Sequence, residues 1–582
     1  MTRRGHDERA HCCRGKQGTR QGTHQGARRG PSVRLPHRKG ARGQENWSRP
    51  RDHDHCAHAL PKGLLPGHAE ARASLKLNRE PLELVTSGSF REPSAQMSTY
   101  SLWFSAASDL EAMEEPLLDD ADEDASWLPD TRLPEQEEGG AMRPLPSECE
   151  GSLGNLHRSV KIAGESETFC TRLQAFIGPG AMVAVGYMDP GNWATDIAAG
   201  SSYNYKLLFI ILVSSVFAMF LQALALRLGI AAQLDLAQAC RRRFSRPVSI
   251  FMWITAEIAI TACDLAEVVG SAIAMQLLFG LPLFWGVLAT ALDVLLLLAL
   301  GGKSMRVMEF MVFALTSVVF VCFAIEIGLT QPDAWAILRD SLIPSPQLLH
   351  DQKMVLISVG ILGATIMPHN LYLHSSIVQT RDIPVTERAV RQSIFLSTID
   401  SNVALSLAFF VNAAILILSA ATFYRSGHKD VADIDQAYMI LSQILGSKTA
   451  STLFAVALLA SGQQSTLTGT LAGQIVMEGF VDWQMTAWKR RLLTRMLAII
   501  PGITVVGIFG DHGVTPLLVG SQVVLSLQLP FSVFPLVYFA GDGEIMRGLQ
   551  ISRATQWCGW IIAVIIAGLN LLLIVLLVNG VV

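Results

Sequence analysis

The sequence is short of charge. Only 16% of its 582 residues are Asp, Glu, Lys or Arg, against roughly 25% in soluble globular chains. Half of the residues are hydrophobic, and mean hydropathy is +0.35. A soluble enzyme is excluded for so apolar a chain, which reads as a polytopic membrane protein. No CxxC pair occurs. Cys12, Cys13, Cys56 and Cys149 lie in the N-terminal stretch, and Cys170, Cys240, Cys263, Cys322 and Cys558 are scattered through or beside apolar segments. Neither a disulfide framework nor a zinc cage is supported. Without an HExxH motif or a nucleophile–base pair, no enzymatic reading and no cofactor is called for.

What charge there is lies at one end. Residues 1–96 carry a net +10, residues 97–150 a net −13, and residues 151–582 balance to zero. The neutral body excludes nucleic-acid binding. Residues 1–150 are expected to form a disordered cytosolic tail, and residues 151–582 a transmembrane domain. The basic part of the tail holds eight of the fourteen histidines. It reads as disordered, or as translated upstream sequence with initiation at Met97 or Met113. Ser32 and Ser48 are the only serines of residues 1–60, too few for a transit peptide. Glu114-Glu115-Pro116-Leu117-Leu118 resembles an acidic dileucine sorting signal, with Met113 where an acid usually stands.

From residue 173 onward, eleven segments are long enough to cross ~30 Å of hydrocarbon. They lie near 173–201, 206–230, 248–279, 283–301, 306–329, 353–380, 391–421, 449–480, 491–510, 514–540 and 556–579. Loops after even-numbered segments hold fourteen Lys/Arg and the opposite loops six. The positive-inside rule therefore places the N-terminus in the cytosol and the C-terminus outside or in a lumen.

Segment 1 is interrupted by Asp189-Pro190-Gly191-Asn192 and segment 6 by Met367-Pro368-His369-Asn370. Proline in mid-membrane cannot continue a helix, and unwound backbone is tolerated there only where it lines a cavity or binds something. The two segments open successive groups of five. Five is odd, so the second group inserts upside down, and paired breaks in an inverted repeat mark a transporter's central site. Asp189 offers a carboxylate, Asn192 an amide oxygen, and the unwound backbone near Ala364 or Tyr187 offers carbonyls. The Met367 thioether suits Mn²⁺, Fe²⁺ and softer ions rather than Mg²⁺ or Ca²⁺. Gln522 of segment 10 is a further oxygen donor for an occluded state.

Segment 3 carries Glu257, Asp264 and Glu267 on one stripe, with Thr261 and Ser271. Acids there are costly and mark ion or proton pathways. His369, beside the second break, titrates in the physiological range and suits a proton route, as does His374. Arg495, or Arg491, is placed to pair with an acid of segment 3. Segment 8 holds Gln463, Gln464, Ser465, Thr466, Thr468, Thr470 and Gln474 among small residues, a pattern for close helix packing. Asp293, Glu309, Glu326 and Asp400 receive no role.

DPGN at 189–192, AxxMPH at 364–369, DLAEV at 264–268, GTLAGQIVMEGF at 469–480 and SQVVLSLQLPF at 521–531 together resemble the Nramp family of divalent-metal transporters. The resemblance spans about 173–540. It implies an all-α, LeuT-type 5+5 inverted repeat with helices 1 and 6 broken and an eleventh helix appended. It also implies proton-coupled uptake of Mn²⁺ or Fe²⁺ into the cytosol, with Cd²⁺, Co²⁺ and Zn²⁺ as further cargo, by a monomer in the bilayer. Metal would be held by Asp189, Asn192, the Ala364 carbonyl and Met367, with Gln522 or Gln528 joining. The proton route would run through Asp189, His369, Asp264, Glu267 and Glu257, with Arg495. The acidic stretch before the core is similar to the N-termini of some plant and algal vacuolar members, which makes an endomembrane a candidate beside the plasma membrane. Two rivals predict other features. A sodium-coupled amino-acid transporter of this fold needs a small Gly-rich break rather than Asp and Met, and a non-transporting metal sensor needs an output domain.

Overall fold

The computed structural model describes residues 152–162, 167–292, 304–429, 431, 434–444, 448–483, 486–510 and 514–578. The tail, its dileucine-like motif and Asp293 lie outside them. Among the described residues the chain is helical, apart from a two-residue parallel pair between β1 (Val160–Lys161) and β2 (Arg381–Asp382).

Helices stand at all eleven positions read from the sequence. The first segment begins later than expected: α1 (Phe169–Phe176) is a separate helix, and Gly178 at φ 135° turns the chain into α2 (Pro179–Ala184). A 3₁₀ turn and the break at Asp189 follow, then α3 (Pro190–Tyr203). Next come α4 (Leu208–Ala232), a short helix α5 (Leu236–Arg243) and the 34-residue α6 (Arg246–Phe279). The helix α7 (Leu283–Ala289) opens segment 4, which runs on beyond the described residues. Then α8 (Met305–Thr330) and the surface helix α9 (Ala334–Leu342) lead to α10 (Gln352–Thr365) and α11 (Pro368–Ile377), the halves of the second broken helix. The chain continues through α12 (Glu387–Ser419), α13 (Ile434–Ile444), α14 (Lys448–Val481), α15 (Ala487–Phe509), α16 (Val514–Ala540) and α17 (Arg553–Val578).

Eight spans among the described residues are long and apolar enough to cross a bilayer. The 34-residue α14 is not one of them. Its glutamines and threonines lower its hydropathy, and Gln464, Thr466 and Thr468 are buried inside the protein. Thr316 of α8 donates to Gln464 at 2.9 Å, so that residue serves packing. Lipid-facing helices carry exposed Phe, Leu and Ile on α6, α8, α15 and α17, as expected where the solvent is hydrocarbon.

Two polar assemblies fasten the chain just before the first break. Asp400 of α12 accepts from the backbone N–H of Gly178 at 3.3 Å and Gly180 at 2.7 Å, filling orphan donors at the start of α2. Glu309 of α8 pairs with buried Arg381 at 2.6 Å and with Arg306 at 3.1 Å, and both arginines donate to the carbonyls of Ala175 and Ile177. Glu309 and Asp400, given no role from the sequence, are thus anchors of the first helix's entry.

Candidate metal site

Each break is built by the same local rule. A helical carbonyl needs the N–H four residues on, and Pro190 and Pro368 have none. The carbonyls of Gly186 and Ala364 therefore lose their helical donors at equivalent places. Proline then starts the second half of each helix, the position it favours. Asp189 is the N-cap of α3, accepting from the Asn192 backbone N–H at 3.0 Å. Met367 is the corresponding residue before α11 and makes no side-chain cap.

Asp189 is fully buried. Its Oδ1 also accepts from Asn192 Nδ2 at 2.8 Å, while Oδ2 has no hydrogen-bond partner. The Asn192 amide reaches back to the Gly186 carbonyl at 3.4 Å, so turning its oxygen toward a ligand means rotating out of both bonds. Gln522 of α16 lies directly against the first break: a Cβ added to Gly191 would fall 1.7 Å from its Nε2 and 3.0 Å from Asp189 Oδ2. Gln522 Oε1 is also buried without a partner. Gln528 is turned elsewhere and accepts from Ser532 at 3.2 Å. Asn370, after the second break, packs on Gly186 of the first, and both its amide atoms lack partners. The breaks thus meet, with oxygen acceptors left open between them. Met367 is completely buried beside Ala259, Cys263 and Leu525. Among the described residues no group of three or more His, Cys, Asp and Glu is arranged as a metal cage. A cation here would draw instead on one carboxylate, amide and backbone oxygens, and sulfur.

The acids of α6 divide into two stations. Arg495 of α15 lies 3.8 Å from Asp264 Oδ1 and 3.6 Å from Glu267 Oε2. Glu267 also accepts from Ser465 at 2.6 Å and Thr466 at 3.2 Å of α14. Glu257, half-buried, pairs with Arg490 at 2.7 Å and accepts from Trp253. The sequence pointed to Arg495 or Arg491 for these acids; Arg490 was missed because helix register alone does not say which of three neighbouring basic residues turns inward. His369 is buried, with Nε2 3.8 Å from Cys263 Sγ. His374 stands apart, its Nδ1 2.9 Å from Gln222, which in turn donates to the Tyr187 hydroxyl at 2.9 Å.

Membrane-spanning helices broken at two facing points, with buried unsatisfied polar groups between them, define a transporter. The chain belongs to the Nramp family: residues 180–576 match the family described as natural resistance-associated macrophage protein-like. It is similar to the Divalent metal cation transporter MntH of Mesorhizobium japonicum, 54% identical over 72% of this chain and 92% of that protein. The Nostoc protein of the same name is 53% identical over 73% of this chain and 96% of its own. Among solved structures, the manganese transporter of Eremococcus coleocola, crystallised with an aromatic bis-isothiourea compound, superposes with a TM-score of 0.69 at 43% identity. The match covers 73% of this chain and 90% of that one. The fold is the one this manganese transporter has, all-helical with helices 1 and 6 broken, and the chain is an integral membrane transporter and not an enzyme.

Proposed function

We propose that this chain carries Mn²⁺ or Fe²⁺ into the cytosol together with protons, from an N-terminus-inside orientation. The observation that supports it best is the unpartnered Oδ2 of buried Asp189 at the first break, with Gln522 lying against that break and Asn370 of the second break packed on Gly186. A carboxylate oxygen left dry and unpaired in mid-membrane is expensive unless an ion completes it. The incoming ion sheds water for Asp189 Oδ2, the Asn192 amide, the Ala364 carbonyl and the Met367 thioether, and Gln522 closes over it. The thioether adds nothing for Mg²⁺ or Ca²⁺, so it filters against the commoner hard ions.

Protons take the other face of α6. Asp264 and Glu267 share Arg495, and Glu257 with Arg490 lies two turns further along the same helix. A proton arriving with the metal at Asp189 or His369 passes to this chain of carboxylates. The arginines hold the acids' charge while the route is empty. Rocking of the broken helices against α6 and α14 then opens the inner side.

The test is Mn²⁺ uptake into proteoliposomes holding the full-length chain, with an internal pH dye and excess Ca²⁺ and Mg²⁺ outside. Uptake with internal acidification that survives both competitors is expected. Bound Mn²⁺ without uptake or acidification would favour a sensor instead.

A further inference from the structure

Cys263 has no part in the mechanism above, yet it lies on the wall of the same site. It occupies α6 one residue before Asp264 and is 2% exposed. It belongs to the small buried cluster that holds Met367, Ala259 and Leu525, so a thiol and a thioether from two different helices line one patch. Its Sγ is 3.8 Å from His369 Nε2 and donates to Glu267 Oε1 at 3.7 Å. Asp189 Oδ2 and Gln522 Oε1 are buried and unpartnered at the first break, and Met367 stands at the second, before Pro368. From the sequence alone, a single cysteine among apolar residues carries no such meaning.

We infer that Cys263 is a ligand for thiophilic divalent cations in this site and that it sets the response to Cd²⁺. The inference rests on the metal-transport reading and names a cargo class that the reading leaves undivided. Mn²⁺ is satisfied by oxygen donors and one thioether. Cd²⁺ gains much more from a thiolate. When Cd²⁺ binds, a Cd–Sγ bond forms and the S–H bond breaks. The proton passes to Glu267 Oε1, which already accepts from that thiol, and no atom changes oxidation state. Glu267 then gives up its share of Arg495, which keeps Asp264. A soft ion is thus held by two sulfurs where Mn²⁺ meets one.

The experiment is a CdCl₂ titration of the purified full-length protein, followed by the ultraviolet sulfur-to-cadmium charge-transfer band, with Cd²⁺ and Mn²⁺ affinities measured by calorimetry. Thiolates give that band strongly and thioethers do not. The other eight cysteines add a background common to every variant, so the difference spectrum is read. The wild type should show a component that both Cys263→Ala and Cys263→Ser lose, and the Cd²⁺-to-Mn²⁺ affinity ratio should fall about tenfold in each. Serine keeps the side chain's size and hydrogen bonding, which covers a failure of the alanine variant to fold. An unchanged difference spectrum and ratio in the serine variant would overturn the inference. Asp189→Ala separates the two claims: lost Mn²⁺ binding there with silent Cys263 variants sinks this inference alone, whereas intact Mn²⁺ binding sinks the site beneath it.

Discussion

Asp189 uses its two oxygens for different purposes. Oδ1 caps α3 and holds Asn192, and Oδ2 is open. Asp189→Asn keeps the cap, since Asn caps as well as Asp, but removes the charge. Calorimetry should show Mn²⁺ affinity down at least tenfold with the melting temperature nearly unchanged; affinity at the wild-type level would remove Asp189 from the site. Met367→Ala should let Ca²⁺ and Mg²⁺ compete with Mn²⁺ uptake, and an unaltered competition profile would make the sulfur mere packing. In the loop between α4 and α6, burial pushes buried Asp235 up to about 6, against hydrogen bonds from Ser152, Gln238 and Ala237 that favour its charge. A carboxyl whose folded value is raised binds its proton more readily when folded. Its contribution to stability is full below pH ~4 and is lost as pH rises through about 6. The wild type should therefore gain on Asp235→Asn by up to about 3 kcal/mol between pH 7 and pH 4 in thermal unfolding. Parallel melting curves would contradict it. At this scale the breaks beside Asp189 and Met367 were legible because proline in an apolar run announces them. The neighbours of Cys263 and Arg490 were not, because they come from other helices.

The breaks depend on close approach. Gly191 leaves room for Gln522, and Gly363 leaves room for Ser526, whose Oγ would lie 1.5 Å from an added Cβ. Gly191→Ala would favour the helix by up to about 1 kcal/mol on propensity alone. It would nevertheless push Gln522 off the break, and Mn²⁺ affinity should fall several-fold in calorimetry. Unchanged affinity would mean that Gln522 does not close over the ion. Hydrophobic length located the spans, including α14, whose small and polar residues fitted packing rather than lipid contact. It could not show α5. That short helix is capped by Asp235 through a reciprocal box with Gln238, and its polarity hid it among loop residues. The start of the first span was misplaced for a related reason: the apolar run continues through Ile177 and Gly178, where an extended residue and a positive φ separate α1 from α2.

Across the whole molecule, the entry of the first broken helix is fastened by side chains from three distant stretches of chain. Arg381, Glu309 and Asp400 close around Ala175–Gly180 through ion pairs and backbone hydrogen bonds. Removing Arg381 leaves buried Glu309 with only the more exposed Arg306, and two backbone carbonyls short of a donor, and Arg381→Ala should lower stability by up to about 3 kcal/mol in denaturant unfolding. A loss under 1 kcal/mol, the range of an exposed pair, would show that the cluster holds little. The inverted repeat was legible as two breaks five spans apart. This clasp was not, since nothing local to Glu309 or Asp400 names a partner more than seventy residues away. The account's central claim is that the two breaks hold the metal between them. Anomalous diffraction from crystals soaked in Mn²⁺ tests it most directly. A single peak at bonding distance from Asp189 Oδ2, the Ala364 carbonyl and the Met367 sulfur is the predicted result. A peak elsewhere, with none between the breaks in protein that transports Mn²⁺, would contradict it.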